Sequence, residues 1–227
     1  MISNDKTIFI WSPHTGKVGT VQNIINSLYS INKYSNFTTY LINAFGEWDN
    51  YLDDFMLQKV NICNFKILRF IKNWDIKGLL KSRLVYMLIF IFSFFPLLNL
   101  IKKNKPSFLI VHLISSLPLL IFVLFNFKTK LILHIAGHPK LNLFRKFYWK
   151  FSSKKIFKII CPTEELKKIF IDNDIFTEEQ LEVIEDPHLI MEKIRNFKKD
   201  ELEDDFFKDG KVLIAIGRMT KQKNYSF

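Results

Sequence analysis

The chain has 227 residues, of which 48% are hydrophobic and 24% are charged, and its net charge is +11. This composition excludes a disordered chain and leaves enough length for one large α/β domain with a sizeable core. Cys63 and Cys161 lie far apart in apolar surroundings without metal-type spacing, so we expect buried, reduced thiols, no metal site and a cytosolic compartment. The opening MISNDKTIFI lacks the pattern of a signal peptide, and we expect none.

The positive charge is concentrated in the middle of the chain. Residues 66–158 hold 18 Lys and Arg residues against one acid, Asp75, whereas the remainder has a net charge of −6. Such asymmetry predicts an acidic partner for the middle of the chain.

The first 65 residues alternate between strand and helix patterns. Short apolar runs predict strands at Thr7–Trp11, Thr38–Ala44 and Val60–Phe65. Apolar residues on one face predict a helix over Thr20–Lys33. The alternation predicts a parallel sheet covered on both sides.

A glycine-containing loop, TGKVGT, joins the first strand to the first helix. Gly16 and Gly19 permit close backbone approach, and the helix amino terminus at Thr20 attracts an anion such as an acceptor phosphate. Lys17 adds a positive charge. The loop is neither a Walker loop nor a dinucleotide fingerprint, and a plain strand-to-helix turn is the alternative.

Two long apolar runs raise the question of a membrane span. Leu84–Ile101 is uncharged for 18 residues but is interrupted by Pro96, whereas a span needs roughly 20 residues. Pro106–Phe127 is uncharged for 22 residues. It divides into a strand at Phe108–Leu113 and a helix capped by Ser115–Ser116. We expect no span, and an integral membrane protein using the first run is the alternative.

A basic, aromatic segment follows a predicted strand at Leu131–Ile135. A helix over Leu141–Ile156 would place Lys146, Lys150 and Lys154 on one stripe. Such stripes suit anionic lipid headgroups, at about 1 kcal/mol per charge. We therefore expect an anionic membrane surface to bind basic residues 66–158. A solvated surface helix is the alternative, and nucleic acid is disfavoured because no binding motif accompanies the charge.

The last third contains two further predicted strands and a domain boundary. Strands are predicted at Ile159–Cys161 and Glu182–Ile184, with a helix capped by Thr163 between them. The acidic stretch Asp200–Asp209 is typical of an exposed linker. We therefore predict an amino-terminal domain over 1–206, and a linker with the start of a second domain over 207–227.

The carboxy-terminal segment, KVLIAIGRMTKQKN, carries a pair of cations after a buried strand. Val212–Ile216 is the strand, and Gly217 permits a sharp turn. Arg218 and Lys223 then lie where open α/β sheets bind ligands, and a guanidinium with an ammonium suits a diphosphate. A solvated basic loop is the alternative.

The string GRMTKQKN resembles the signature that opens the donor-binding domain of family-4 glycosyltransferases, which have the GT-B fold. Three further segments agree in order: Ile8–Thr20, Cys161–Thr163 and Leu181–Leu189. The resemblance implies an α/β, Rossmann-like GT-B amino-terminal domain with an incomplete second domain. It also implies that Arg218 and Lys223 bind the donor diphosphate.

The basic middle of the chain is expected to hold the domain on the cytoplasmic, inner face of the membrane. The resemblance further implies a retaining glycosyltransferase. Its partners would be a nucleotide-sugar and a lipid-linked or polysaccharide acceptor, with no cofactor, and residues 16–20 would line the acceptor side. Because the family's Glu-x7-Glu region would follow Phe227, we expect this chain alone to bind donor weakly and to be inactive. A non-catalytic lipid-binding or scaffolding domain is the alternative.

The family's functional histidine is displaced in this chain. When HIAG is laid on the family's xxHG pattern, Ala136 occupies the histidine position, with His134 two residues earlier and His138 two residues later. We predict that His138 contacts the sugar or acceptor, with His134 as the second candidate. A structural histidine in a turn is the alternative, and His112 is expected to pack within its strand.

Overall fold

The computed structural model describes residues 6–15, 19–57, 59–65, 69–74, 79–187 and 194–196. The chain divides into two compact units, Met1–His188 and Leu189–Phe227, and the architecture below is that of the first. The predicted linker and the predicted strand Val212–Ile216 lie outside the described residues.

Seven parallel strands form one sheet in the order β3-β2-β1-β4-β5-β6-β7. All six strand pairings are parallel. The α/β fold with a parallel sheet is thus confirmed. The strands are β1 Thr7–Trp11, β2 Thr38–Asn43, β3 Asn61–Asn64, β4 Phe108–Val111, β5 Lys130–His134, β6 Ile156–Cys161 and β7 Leu181–Val183.

Strand β1 is the centre from which the sheet grows in both directions. Phe9 pairs with Tyr40 of β2 on one side and with Leu109 of β4 on the other. The chain builds outward through β2 and β3, then returns and builds outward through β4 to β7. The boundary between β1 and β4 is therefore the topological switch point, where open α/β sheets form their ligand crevice at the carboxyl ends of the strands.

Helices follow the strands. They are α1 Gly19–Tyr34, α2 Leu52–Leu57, α3 Leu79–Asn104, α4 Ser116–Leu124, α5 Leu143–Ser152 and α6 Glu164–Asp172. As predicted, Thr163 caps α6 by accepting a hydrogen bond from the Leu166 backbone N–H at 3.2 Å. Asn142 caps α5 in the same way. Helix α5 is shorter than predicted because the chain re-enters the sheet at Ile156.

The alternation of side chains along β1 separates two cores. Ile8 and Ile10 pack with α1 on one face of the sheet. Phe9 and Trp11 belong to a larger core on the other face, which also includes buried residues of α3, α4, α5 and α6. The sheet is therefore covered on both sides, as the strand and helix pattern predicts.

The expectation that Pro96 interrupts the first apolar run is wrong. Pro96 lies inside the continuous 26-residue helix α3. Leu97 and Leu98 are buried immediately after it, and their packing offsets the backbone hydrogen bond that a proline cannot donate. Among the described residues, one helix, Leu80–Asn104, is long and apolar enough to cross a bilayer by length and composition, which alone is weak evidence.

Candidate functional site

Polar side chains gather where the parallel strands end. His112 comes directly after β4, His134 is the last residue of β5, and Asp186 follows β7 by three residues. His14 follows β1 by three residues. Because the strands are parallel, their carboxyl ends share one edge of the sheet. The edge beside the switch point is thus rich in imidazole groups.

His134 is held against a carboxylate in a buried environment. Its Nε2 atom lies 3.0 Å from Oδ1 of Asp186, and the two side chains are 7% and 11% exposed. The approach is close, although Asp186 Oδ1 makes no regularly aligned hydrogen bond. Burial lowers the pKa of His134, and the Asp186 charge partly opposes this effect. Near neutral pH the ring is uncharged, and the nitrogen facing the carboxylate is the one expected to carry the hydrogen.

A second imidazole packs on the first. The ring centroids of His112 and His134 are 4.4 Å apart. Burial, with a smaller contribution from His134, lowers the pKa of His112 well below its ordinary value. The Nδ1 atoms of both rings are buried without a hydrogen-bond partner among the described residues. Two neutral rings with spare polar atoms can accept or donate hydrogen bonds to a ligand hydroxyl.

Both rings line a cavity of about 320 Å³ on the α1 side of the sheet. Its walls are mainly isoleucines, with two α1 hydroxyls, Ser27 and Ser30, and with Glu185 and Pro187 from the chain after β7. A cavity with apolar walls and a few polar atoms is the usual form of a small-molecule site. Its size and lining suit a compact group with at least one hydroxyl.

His14 follows β1 on the same edge of the sheet. It is buried, its ring lies edge-on to Trp48 at 4.5 Å, and its Nδ1 atom is 3.5 Å from the Ser12 carbonyl oxygen. Burial lowers the pKa of His14 more than the Ser12 carbonyl raises it. This ring is therefore neutral as well.

A buried carboxyl group shapes the loop after β2. Glu47 accepts hydrogen bonds from the backbone N–H groups of Ala44 at 3.0 Å and Phe45 at 2.8 Å. Asn43 accepts the N–H of Gly46, whose positive φ of 99° suits glycine. Burial raises the pKa of Glu47 to about 7, against the lowering effect of the backbone hydrogen bonds. The loop is therefore held by hydrogen bonds between its own residues at the carboxyl edge of the sheet.

The remaining chemistry-bearing groups are less suited to catalysis. Burial raises the pKa of both thiols, Cys63 and Cys161, to about 11, so neither is a thiolate nucleophile near neutral pH. Both are free cysteines. Within the described part of the chain, no group of three His, Cys, Asp or Glu side chains could hold a metal ion.

The structure describes four of the eight residues predicted for the site and places them in different surroundings. His134 is buried against Asp186, whereas His138 is exposed, with Nε2 3.5 Å from Glu165 Oε1. Gly19 and Thr20 begin α1, and a Cβ atom added at Gly19 would meet no atom within 4 Å, so packing does not require this glycine. The other four predicted site residues, Gly16, Lys17, Arg218 and Lys223, lie outside the described residues.

Four residues of this edge were not predicted as site residues: His14, His112, Asp186 and Glu47. A signal existed for His112, because a polar residue ends an otherwise apolar strand. Asp186 lies shortly after β7 and precedes Pro187, which is also a recognisable position. For Glu47 the signal was weak, since a glutamate in a loop is normally exposed.

We expect Asp186→Ala to destabilise the domain by about 1–3 kcal/mol, because the buried His134 ring loses the group that faces its Nε2 atom. Asp186→Asn keeps the shape and an acceptor oxygen, so it should cost less than half as much. Urea unfolding near neutral pH measures both. Equal stability of the Ala variant and the unmodified chain would show that the contact between His134 and Asp186 does not stabilise the fold.

No family model and no curated protein matches this chain. Solved structures do match. The glycosyltransferase from Rickettsia africae ESF-5 has a TM-score of 0.56 and 16% identity, covering 86% of this chain and 48% of that one. The UDP-GlcNAc 2-epimerase from Neisseria meningitidis, bound to UDP-GlcNAc, has a TM-score of 0.53 and 14% identity, covering 85% and 50%.

A plant protein shares the same arrangement. UGT73P12 of Glycyrrhiza uralensis, complexed with glycyrrhetinic acid 3-O-monoglucuronide, has a TM-score of 0.54 and 6% identity, covering 81% of this chain and 48% of its own. The domain has a Rossmann-like GT-B fold. The predicted fold is thereby confirmed. The chain spans about half the length of these structures, and membership of family 4 stays a prediction.

Proposed function

We propose that this chain is the acceptor-side part of a GT-B glycosyltransferase that moves a sugar from a nucleotide-sugar to a membrane-linked or polysaccharide acceptor. The observation that carries the proposal is the imidazole-lined carboxyl edge at the switch point of a GT-B sheet. Neutral imidazoles suit hydroxyl-rich ligands, because they form hydrogen bonds with hydroxyl groups and carry no charge that would attract anions from solution.

Each polar group has a role in the proposed reaction. His112 and His134 would bond hydroxyls of the sugar or acceptor within the cavity, and Asp186 would hold the His134 ring in place. His138, which is exposed, would contact the sugar or acceptor from the loop after β5. The segment from Gly16 to Thr20 would approach the acceptor at the amino terminus of α1.

The donor diphosphate would be bound by Arg218 and Lys223. As the sugar leaves, negative charge builds on the diphosphate, and fixed cations stabilise that charge. The resemblance to family 4 favours retention of configuration at the transferred carbon. The acceptor would be reached from the cytoplasmic, inner face of the membrane.

Titration of the chain with UDP and with GDP, followed by NMR, tests the proposal. We expect weak binding of one of them, and a further loss of about 10- to 100-fold in the Arg218→Ala/Lys223→Ala variant, because charged hydrogen bonds to phosphate are removed. Lys154→Ala/Lys155→Ala is the matched control, since it removes two exposed cations elsewhere. Equal affinity of both variants would contradict the proposed diphosphate site.

A non-catalytic lipid-binding or scaffolding domain is the second candidate. The observation that favours it is the number of exposed large apolar side chains on α3 and α5. Binding to lipid vesicles together with failure to bind either UDP or GDP would support this candidate. Nucleotide binding with release of a free, epimerised sugar nucleotide would instead indicate an epimerase.

A further inference from the structure

Helix α3 carries an apolar side that the described residues leave uncovered. A helix that is hydrophobic around its whole circumference is normally buried on all sides. In α3 only a third of the most apolar 18-residue window is buried. The residues of α3 that pack into the core are Val85, Ile89, Leu97, Leu98 and Ile101. The opposite side exposes Leu84, Met87, Ile91 and Phe95.

Helix α5 carries a second exposed apolar side. α3 contacts α4, α4 contacts α5, and all three contribute to the core on one face of the sheet. Helices that cover the same face of a sheet turn their outer sides in the same general direction. The outer apolar surface is defined here as Met87, Ile91 and Phe95 of α3 with Phe144, Phe147 and Phe151 of α5, all of them exposed.

The exposed aromatic rings of α5 stack in two pairs. Phe147 lies on Phe151, with ring centroids 6.2 Å apart, and Phe144 lies on Tyr148 at 6.3 Å. Aromatic rings ordered on an exposed helix side make a large contact area at low cost in conformational entropy. Large exposed apolar side chains gathered on one side of a helix mark an interaction site.

The first two lysines of the predicted stripe, Lys146 and Lys150, lie against the end of α6. Lys146 Nζ donates to Asn173 Oδ1 at 2.6 Å, and Lys150 pairs with Asp174. Both contacts join α5 to the end of α6, on a side of the helix that the aromatic rings do not occupy. The aromatic side is therefore the side that is available for a partner.

The charges around the outer apolar surface indicate the class of partner. The chain contains no Asp or Glu between Ile76 and Thr163. Exposed basic residues lie at both ends of α3, with Arg83 near its start and Lys102 and Lys103 at its end. Within the segment that supplies both helices, every charged residue is therefore a cation, and an apolar surface bordered by such cations is complementary to a bilayer with anionic headgroups.

We propose that the outer apolar surface of α3 and α5 lies in the interface of an anionic lipid bilayer, with α3 parallel to the membrane plane. The buried side of α3 runs from Val85 to Ile101, about 24 Å along the helix. A helix packed lengthwise on the domain cannot cross the bilayer without drawing polar sheet edges into hydrocarbon. The inference rests on the proposed function only in that the membrane supplies the acceptor.

Sedimentation of the whole chain with lipid vesicles tests the inference. We expect binding to phosphatidylcholine vesicles that contain phosphatidylglycerol, weaker binding to pure phosphatidylcholine, and release by high salt. Met87→Gln/Ile91→Gln/Phe95→Gln should weaken binding by about tenfold or more, because apolar area no longer enters the interface. Lys102→Gln/Lys103→Gln should weaken it about fivefold for each charge removed.

The matched control replaces three exposed apolar residues on other elements, as Tyr34→Gln/Met56→Gln/Ile171→Gln. It should bind vesicles as the unmodified chain does, and thermal unfolding confirms that each variant is folded. Equal vesicle binding by the α3 variant and the control would overturn the inference. A dimer that the α3 variant converts to a monomer, without vesicle binding, would show that a second copy covers this surface.

Three further outcomes test the placement of α3 and separate this inference from the proposed function. Retention in membranes after alkaline carbonate extraction would indicate a span and would overturn the parallel placement of α3. Vesicle binding without any binding of UDP or GDP would support the lipid surface and contradict sugar transfer. Nucleotide binding without vesicle binding would support the proposed function and overturn the lipid surface.

Discussion

The unmodified protein is expected to lose roughly 2–4 kcal/mol of stability through Glu47 alone as the pH rises from about 4.5 to about 7. Burial raises the pKa of Glu47 from 4.5 to about 7. Between these two values the folded chain binds a proton at this position that the unfolded chain has released. Rising pH therefore removes stability within this window, and above it the cost is constant.

Glu47→Gln isolates this contribution from the histidines. Burial lowers the pKa of His14, His112 and His134, so these groups act with the opposite sign: they destabilise the fold as the pH falls below 6.5. The difference in urea-unfolding free energy between the unmodified chain and Glu47→Gln cancels the histidine effect. The expected difference shifts by roughly 2–4 kcal/mol in favour of the variant from about pH 5 to about pH 8. A difference that does not change with pH would contradict a buried, proton-binding Glu47.

The same carboxyl group has a consequence for the site. The loop from Asn43 to Trp48 follows β2 at the carboxyl edge of the sheet, and Glu47 holds its backbone through two hydrogen bonds. His14 packs edge-on against Trp48 at the end of this loop. Through this loop and Trp48, Glu47 therefore supports a histidine that follows β1.

Local pattern was sufficient to predict the central strands. The boundaries of β1 agree residue for residue with the prediction, because TIFIW is apolar on both faces and is bounded by polar residues. The start of β6 was predicted three residues late, at Ile159. Here Leu131 of β5 pairs with Ile156 beside an irregularity in the register, and this tertiary contact overrides the helical pattern of the preceding segment.

Pairing between strands explains why the histidine site was not predicted as a unit. His112 and His134 were assigned separately, as a packed residue and as a candidate contact. Val111 of β4 pairs with Leu133 of β5, so the next residue in each strand is a histidine, and the two fall side by side. The strand order and register that decide this are long-range facts, which local patterns do not contain.

Two phenylalanines with opposite burial provide the largest expected stability contrast. Phe9 is 1% exposed in the central strand and stacks on Tyr40 with ring centroids 4.7 Å apart. Phe9→Ala should cost about 3–5 kcal/mol, because the lost ring leaves a cavity that the packed sheet cannot close. The midpoint of thermal unfolding should fall by about 10 °C for a domain of this size.

The counterpart is Phe147→Ala on the outer apolar surface. Phe147 is 71% exposed, and its removal should change stability by no more than about 0.5 kcal/mol, since a surface phenylalanine fills no cavity and alanine favours the helix. If Phe147→Ala unfolds the domain as readily as Phe9→Ala does, the ring belongs to the core, and the exposed surface proposed for lipid contact does not exist. If it leaves stability unchanged and weakens vesicle binding, the ring contributes to a partner rather than to the fold. The two substitutions remove the same atoms, so their difference measures burial directly.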